Sequence, residues 1–200
     1  MVLSEAGRPH FNFFEFLMNG QKLDQGDDID IIYMDYRKAF DTVPHMRLME
    51  KVKGYGFTEN IVAWIEDFLT ERKQKVIING EVSKEKTIKS GIPQGSVLGP
   101  LLFLIFVNDL PELTTSLVYL FADDNKVSKA IKNYKDKQIL QKDLDIIYNW
   151  SKIWQLQIHP DKLAHMHIGD EMETPEYEYT VGNMPVKFST NEKDLGVIID

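Results

Sequence analysis

Three aspartates carry the chemistry on offer in this sequence. Asp123 and Asp124 are adjacent, behind the apolar run Leu117–Phe121 and ahead of a strand-like run that begins at Lys126. Asp-Asp-Asn125 is turn chemistry, because short polar side chains tolerate tight backbone and bond to it. The stretch therefore predicts a β-hairpin whose tip carries two negative charges. An aspartate at a hairpin tip has an ordinary structural explanation, and Asp27-Asp28 forms a second such pair. What singles out the first pair is a third acid in a matching setting, since the buried-type strand Ile29-Asp-Ile-Ile-Tyr-Met ends in Asp35. If the two strands are neighbours in one sheet, the three carboxylates converge. Like charges that close raise one another's pKa unless cations intervene. Hard oxygen ligands suit Mg²⁺, and two such ions about 3.5–4 Å apart form the clamp used for in-line phosphoryl transfer. Three strand-borne acids point to nucleotidyl transfer.

The elements that must hold these acids are legible as periodicities. Phe13, Phe14, Leu17 and Met18 predict a helix over Phe11–Leu23. After Asp35, Pro44 suits a first helical position, with Leu48, Met49 and Val52 inward and Gly54 or Gly56 as the stop. Thr58 caps a helix over Glu59–Thr70 whose Ile61, Trp64, Ile65 and Phe68 form a core-facing stripe. The period changes at Lys73: Lys75–Gly80 and Ser83–Ser90 read as strands joined at Asn79-Gly80, a strong hairpin signal. Ser90-Gly-Ile-Pro-Gln-Gly-Ser96 is a loop in which two glycines let backbone approach a ligand and Gln94 offers both a donor and an acceptor. It opens an apolar helix from Val97 to about Leu110, whose N–H end suits a phosphate. Asp136–Leu156 reads as an amphipathic helix covering one sheet face, through Ile139, Leu140, Leu144, Ile147, Trp150, Ile153 and Trp154. Short strands follow at Leu163–Ile168, Tyr177–Val181, Met184–Phe188 and Leu195–Ile199, with a polar turn over Gly169–Glu176. The order gives an α+β layered domain.

Composition sets outer bounds. The 200 residues are 43% apolar, ample for a buried core. With 23 basic against 31 acidic residues the net charge is −8, which argues against a stand-alone nucleic-acid binder. Arg72–Lys75 with Lys84, Lys86 and Lys89, and the run from Lys126 to Lys137, are local basic clusters, each either a solvated face or a binding face. The absence of cysteine removes disulfides and thiolate zinc sites. No secretory signal is visible, and the longest apolar segment, Val97–Val107, is too short to span a bilayer of roughly 30 Å. The expectation is an intracellular protein, nuclear or cytoplasmic, with no membrane association. His165 and His167 share a strand face, but without a third ligand nearby zinc is disfavoured. His10 and His45 read as surface or packing residues.

Three runs carry a family resemblance: Tyr33-Met-Asp-Tyr-Arg-Lys-Ala-Phe-Asp-Thr-Val-Pro-His45, Ser90-Gly-Ile-Pro-Gln-Gly-Ser-Val-Leu-Gly-Pro-Leu-Leu-Phe103 continuing to Asn108-Asp109, and Phe121-Ala-Asp-Asp124. In this order they resemble the reverse transcriptase of non-LTR (LINE-type) retrotransposons. Lys162 with Met166-His-Ile-Gly169, and Glu192-Lys-Asp-Leu-Gly-Val197, look like the same family. The resemblance implies a right-hand polymerase palm, an antiparallel sheet backed by helices, with incomplete fingers and no thumb. It implies a helical remnant of the fingers and palm lead-in over residues 1–27 and the palm over 28–200. The implied reaction is RNA-directed DNA synthesis: a primer 3′-hydroxyl attacks the α-phosphate of a deoxynucleoside triphosphate, with RNA template and DNA primer as partners. By position, Asp35, Asp123 and Asp124 are the implied catalytic acids. With the Tyr36 carbonyl they are the implied ligands of two Mg²⁺ ions, Mn²⁺ being able to substitute. Phe40 matches the bulky gate that excludes a ribose 2′-hydroxyl. Its offset of five from Asp35 requires the chain to leave the strand near Tyr36. Pro93, Gln94 and Gly95 match the loop that contacts template and incoming nucleotide, and Lys162 the lysine near the leaving pyrophosphate, a general acid.

The sequence also departs from the family. The basic fingers motifs ahead of the first aspartate are reduced to Gly7-Arg-Pro9, and no thumb, endonuclease or zinc-knuckle segment is expected up to Asp200. Asn125 stands where Thr is usual, His159 where Asn is frequent, and Leu163 where Cys often follows the lysine. None of these removes a carboxylate. Two other readings stay open: an RNA-dependent RNA polymerase or group II intron maturase, and a truncated or decayed transposon copy that binds RNA without turnover.

Overall fold

The computed structural model describes residues 28–169, 177–194 and 197–199. The lead-in over 1–27 with its expected helix, most of the turn after Gly169, and Leu195-Gly196 lie outside the described residues. In chain order the main elements are strand β1 (Asp28–Asp35), helices α1 (His45–Gly54), α2 (Glu59–Leu69) and α3 (Leu98–Val107), strands β2 (Leu117–Phe121) and β3 (Asp124–Ile131), helix α4 (Tyr134–Trp154), and strands β4 (Ala164–Ile168) and β5 (Lys187–Phe188). The chain forms two compact units, one built from the segment through Asp35, Asn108–Trp150 and Ile158 onward, the other from Tyr36–Val107 and Ser151–Gln157.

The first unit is organised on a five-stranded sheet of order β5-β4-β1-β3-β2, antiparallel except for the β5–β4 pair. β1 runs down its centre and is buried from Ile29 to Asp35, which is why its sequence is nearly continuous in Ile, Tyr and Met. Side chains alternate across it. Ile29, Ile31 and Tyr33 join Met166 and Ile199 in one cluster. Ile31 and Ile32 are fully buried, each contributing about 1.5–3 kcal/mol. The register runs from Asp28 opposite Ile131 to Asp35 opposite Asp124. A slip of one residue would turn this whole set to the wrong face.

The β2–β3 hairpin departs from the expected turn. Phe121 pairs with Asp124, so the connection is Ala122-Asp123, and Asn125 is buried inside β3. Ala122 takes a positive φ of 54°, a conformation that costs an L-residue with a Cβ and that two-residue hairpin loops usually assign to glycine or asparagine. On α4, Leu140, Leu144, Ile147 and Trp150 form the buried stripe, whereas Ile153 is exposed, so the stripe stops a turn early. The Asp143 carboxylate ties this helix down, accepting from the amides of Thr115 (3.1 Å) and Ser116 (2.7 Å) and the Thr115 hydroxyl (3.0 Å). The expected strand over Met184–Phe188 divides: Met184–Pro185 pairs with Thr180–Val181, and only Lys187–Phe188 joins the sheet. Glu192–Asp194, which alternation did not mark, pairs with Val197–Ile199.

In the second unit, α1 starts after Pro44 and buries Leu48, Met49 and Val52, as its spacing requires. Lys51 is buried there as well, its ammonium 3.8 Å from the centre of the Trp154 ring. Thr58 occupies the N-cap of α2 but makes no side-chain cap bond. Only Ile65 and Leu69 of that helix are buried, and Trp64 is 59% exposed, which corrects the expected core-facing stripe. α3 is apolar all round and buries Leu102, Phe103 and Phe106. Between α2 and the Ser90 loop, Lys73–Gln74 pairs with Lys86–Thr87 and Ile77–Ile78 with Glu81–Val82. Asn79 and Gly80 both have positive φ, as a type I′ turn demands, so this hairpin stands as expected with shorter strands.

Candidate active site

The sheet brings the acids of the first unit together. Asp35 is the last residue of the central strand, 6% exposed, and sits directly opposite Asp124 on the neighbouring strand. Asp123 lies in the turn one residue earlier. The Asp124 carboxyl is raised above the ordinary carboxylate range by burial first, then by the charges of Asp123 and Asp35, with Lys162 and Lys126 pulling the other way. Asp35 and Asp124 are thus paired across the two strands, and Asp124 feels the charge of Asp123 from the turn. Asp35 is also fixed through its backbone, its carbonyl accepting from the His159 amide at 2.8 Å.

Lys162 comes from a 3₁₀ turn, Pro160–Lys162, in which the His159 ring accepts from the Asp161 amide. Its ammonium is ion-paired with the Asp35 carboxylate. That hydrogen bond, reinforced by the charges of Asp35, Asp124 and Asp123 and opposed by burial, raises the Lys162 pKa. A cavity of about 500 Å³ opens beside the acids, lined by Lys126, Lys162, Lys187 and Lys193 and by the carboxylates of Asp35, Asp124, Asp161 and Glu192. Lys187 carries no positional signal as a lone lysine, and Lys126, which opens the basic run to Lys137, is buried here rather than part of a solvated face. Hard oxygens from adjacent strands, with lysines interspersed among them, are the donor chemistry that a magnesium–phosphate complex requires. Among the described residues, no three acid, histidine or cysteine side chains form a ready cluster around one ion.

The other expected site residues belong to the second unit. The chain leaves the strand at Tyr36, as the Phe40 offset required, and Lys38 turns it with a positive φ. The Tyr36 side chain is buried. Phe40 stacks on Phe103 with ring centres 4.6 Å apart. The segment 40–45 is zipped to the Ser90 loop. The Ile92 amide donates to the Phe40 carbonyl (2.7 Å), the Gly91 amide to the Val43 carbonyl (2.8 Å), and the Gln94 amide group to the Asp41 carboxylate (3.0 Å). The carbonyl of Gly91 meets both His45 Nε2 (2.8 Å) and the Arg72 guanidinium (2.6 Å). His45, read from sequence as surface or packing, is thus a buried anchor of this loop. The role of Gly91 differs from the expectation too. A Cβ on Gly91 would lie 2.6 Å from the Asp41 carbonyl oxygen, and its φ is +87°, so Gly91 admits this chain's own backbone and not a ligand. Gly95 has open space around it, with a φ of +79°. Gly91→Ala is expected to lose at least about 2 kcal/mol of unfolding free energy in urea titrations; an unchanged midpoint would show that the loop is not locked as described.

His165 and His167 share a face as expected, but their partner is an aspartate. His167 Nδ1 lies 2.7 Å and His165 Nε2 3.1 Å from one oxygen of Asp30, and the Tyr179 hydroxyl donates to the other at 2.5 Å. Burial alone would raise the Asp30 pKa. The hydrogen bonds of His165, Tyr179 and His167, with the His165 charge, outweigh it and bring the net shift below the ordinary value. Tyr179 shifts upward, by burial and by the charge of Asp30. Neither Asp30 nor Tyr179 was marked by the sequence, because they lie 149 residues apart.

Comparison with known proteins gives this geometry a family. The reverse transcriptase (RNA-dependent DNA polymerase) profile matches residues 9–195. The RNA-directed DNA polymerase from mobile element jockey of Drosophila melanogaster is 34% identical over 143 residues, 67% of this chain and 16% of that protein. The probable RNA-directed DNA polymerase from transposon X-element of the same organism is 29% identical over 175 residues, 84% of this chain and 19% of that one. The chain therefore spans less than a fifth of the length of either relative. Apo telomerase from Candida tropicalis, truncated from its C-terminal domain, has the same fold over 84% of this chain and 35% of its own, with a TM-score of 0.62 at 14% identity. That likeness, with the antiparallel sheet and its helices, shows the α+β polymerase palm. Among the described residues, no helix is long and apolar enough to cross a membrane. With nearly its whole length matched by one family profile and its relatives drawn from mobile elements, this chain belongs to the reverse transcriptase family.

Proposed function

We propose that the chain is the palm portion of an RNA-directed DNA polymerase of a non-LTR retrotransposon, adding deoxynucleotides to a primer 3′-hydroxyl on an RNA template. The observation that carries this reading is the register that sets Asp35 opposite Asp124 on adjacent strands, with Asp123 one residue away. In this reading Asp35, Asp123 and Asp124, with the Tyr36 carbonyl, hold two Mg²⁺ ions, and Mn²⁺ can replace them. When bound, the ions lower the pKa of the attacking hydroxyl and neutralise charge on the triphosphate. The protein's own residues do the positioning. Asp35 is rigid because both its backbone and its carboxylate are held. Lys162, ion-paired with Asp35 and kept protonated by its acidic surroundings, is the group this reading assigns to give a proton to the departing pyrophosphate. Lys126, Lys187 and Lys193, set among the acids that line the neighbouring cavity, offer ammonium groups to phosphates. Pro93, Gln94 and Gly95 meet the template and the incoming nucleotide. Asp41 accepts from the Gln94 NH₂ group, so the Gln94 carbonyl oxygen is left to accept from substrate.

Phe40 acts as the sugar gate. Its stack on Phe103 and its carbonyl bond to Ile92 hold the ring in place without help from substrate. Replacing Phe40 with Ala is expected to raise ribonucleotide incorporation relative to deoxynucleotide by about tenfold or more, read as a ratio of kcat/KM values. An unchanged ratio removes Phe40 from this role. The function itself is tested by primer extension on RNA, using the protein with whatever flanking sequence its gene supplies. Template-dependent DNA synthesis that stops in EDTA and returns with Mg²⁺ is the expected result; persistent absence of synthesis with intact RNA binding favours the non-catalytic reading.

A further inference from the structure

We propose that the hairpin between Lys73 and Thr87, with the cleft at its base, is a binding surface for single-stranded RNA. The inference rests on the polymerase reading above and names where the unpaired template is gripped.

Every residue from Lys73 through Thr87 is exposed, on both faces of the hairpin. A two-stranded ribbon of this kind is marginal in water on its own. Val76, Ile77, Ile78 and Val82 are each more than half exposed, an apolar cluster that a soluble surface rarely carries without a partner. Ile77 and Val82 are directly paired and so stand on one face. The charges around this tip identify the partner. Between Glu71 and Ser90 there are six cations (Arg72, Lys73, Lys75, Lys84, Lys86 and Lys89) against three carboxylates (Glu71, Glu81 and Glu85), in a chain whose net charge is −8. The excess is therefore a local reversal of sign.

A cleft of about 720 Å³ lies at the ribbon's base, with Lys38, Arg72, Gln74, Lys89 and Gln94 among its lining residues. Arg72 is committed inward, bonded to the carbonyls of Leu69 and Gly91, so it shapes the cleft wall while the lysines face outward. Cationic stems beside an aliphatic tip match a strand that presents phosphates and unpaired base faces together. A duplex hides its base faces in the stack and offers the aliphatic tip nothing. The presence of Gln94 in the same cleft makes the template strand the fitting occupant, and RNA displays its bases for such contact when single-stranded.

The test is fluorescence anisotropy of a short labelled single-stranded RNA with the 200-residue chain over a range of salt. The triple variant Lys75→Gln, Lys84→Gln, Lys86→Gln is expected to bind about tenfold more weakly and to lower the magnitude of the salt slope by about 2, the value for three phosphate contacts on a single strand. Lys53→Gln, Lys142→Gln, Lys152→Gln, which makes the same change of net charge at exposed positions outside both basic clusters, is expected to leave both unaltered. Ile77→Ser with Ile78→Ser is expected to weaken binding without changing the slope. Because every substituted ribbon residue is exposed, loss of fold does not confound the result, and far-UV circular dichroism checks it. The proposal is overturned if the ribbon triple behaves like the control triple, or if an RNA–DNA duplex binds the ribbon better than the single strand. It is also overturned if the serine variant abolishes self-association while RNA binding stays whole, which would make the tip a protein contact. Repeating the titration with the Asp124→Asn chain keeps the two readings apart: ribbon-dependent binding must survive there, whether or not DNA synthesis is ever observed.

Discussion

Asp124→Asn is expected to lower RNA-templated DNA synthesis by about 10³-fold or more, equivalent to about 4 kcal/mol of transition-state stabilisation. The asparagine has the shape of the aspartate and loses only its charge, so the side chain can stay where β3 places it opposite Asp35. What disappears is one of the negative groups that bring cations to this corner of the sheet. The same electrostatics make a second, opposite statement. Asp123 and Asp35 press on the Asp124 charge, and its carboxyl is raised for that reason after burial. Removing the charge relieves that repulsion, so in EDTA the variant should melt no lower than the parent. Loss of activity with retained stability separates a functional acid from a structural one. Activity within a few-fold of the parent would remove Asp124 from the machinery, and a collapsed melting temperature would make it structural.

Asp30→Ala is expected to act the other way, costing about 3–5 kcal/mol of stability, because it leaves the buried Tyr179 hydroxyl and His167 Nδ1 without their partner and takes away the carboxylate 3.1 Å from His165 Nε2. Urea titration reads this directly. The network also predicts a pH dependence. Asp30 has a lowered pKa in the folded state, so its contribution is present above the ordinary carboxylate value and is lost as pH falls through the lower folded value. The parent should therefore shed part of its stability below about pH 4. Asp30→Asn, which cannot titrate, should lack that share of the loss. Equal acid profiles for parent and Asp30→Asn would show that the network is not ionised as described.

Local sequence carried the fold as far as local forces decide it. The strand ending in Asp35, the Asn79-Gly80 hairpin and the inward residues of α1 were legible because each rests on short-range periodicity or turn chemistry. The short-range reading erred where pairing partners set the outcome. Asp-Asp-Asn looked like a turn, yet the pairing of Phe121 with Asp124 and of Met34 with Asn125 draws two of those residues into β3 and leaves the loop to Ala122-Asp123. Trp64 sits at core spacing on α2, but nothing in a helix period states whether a second layer covers that face, and it is exposed. The three aspartates stood out because two strands end alike, and the register sets Asp35 opposite Asp124. Lys162 gained meaning only through the family frame, 127 residues from the Asp35 it pairs with. Asp30, Tyr179 and the anchoring role of His45 left no local trace, since each is defined by partners distant in the chain.

The central claim is that Asp35, Asp123 and Asp124 together hold divalent cations for phosphoryl transfer. Manganese titration followed by the electron paramagnetic resonance of the free ion, in the presence of a deoxynucleoside triphosphate, addresses it without requiring turnover. Saturable binding beyond that of the nucleotide alone, displaced by Mg²⁺ and lost in the Asp35→Asn, Asp124→Asn double variant, is the predicted result. Undiminished manganese uptake by that double variant would contradict the account.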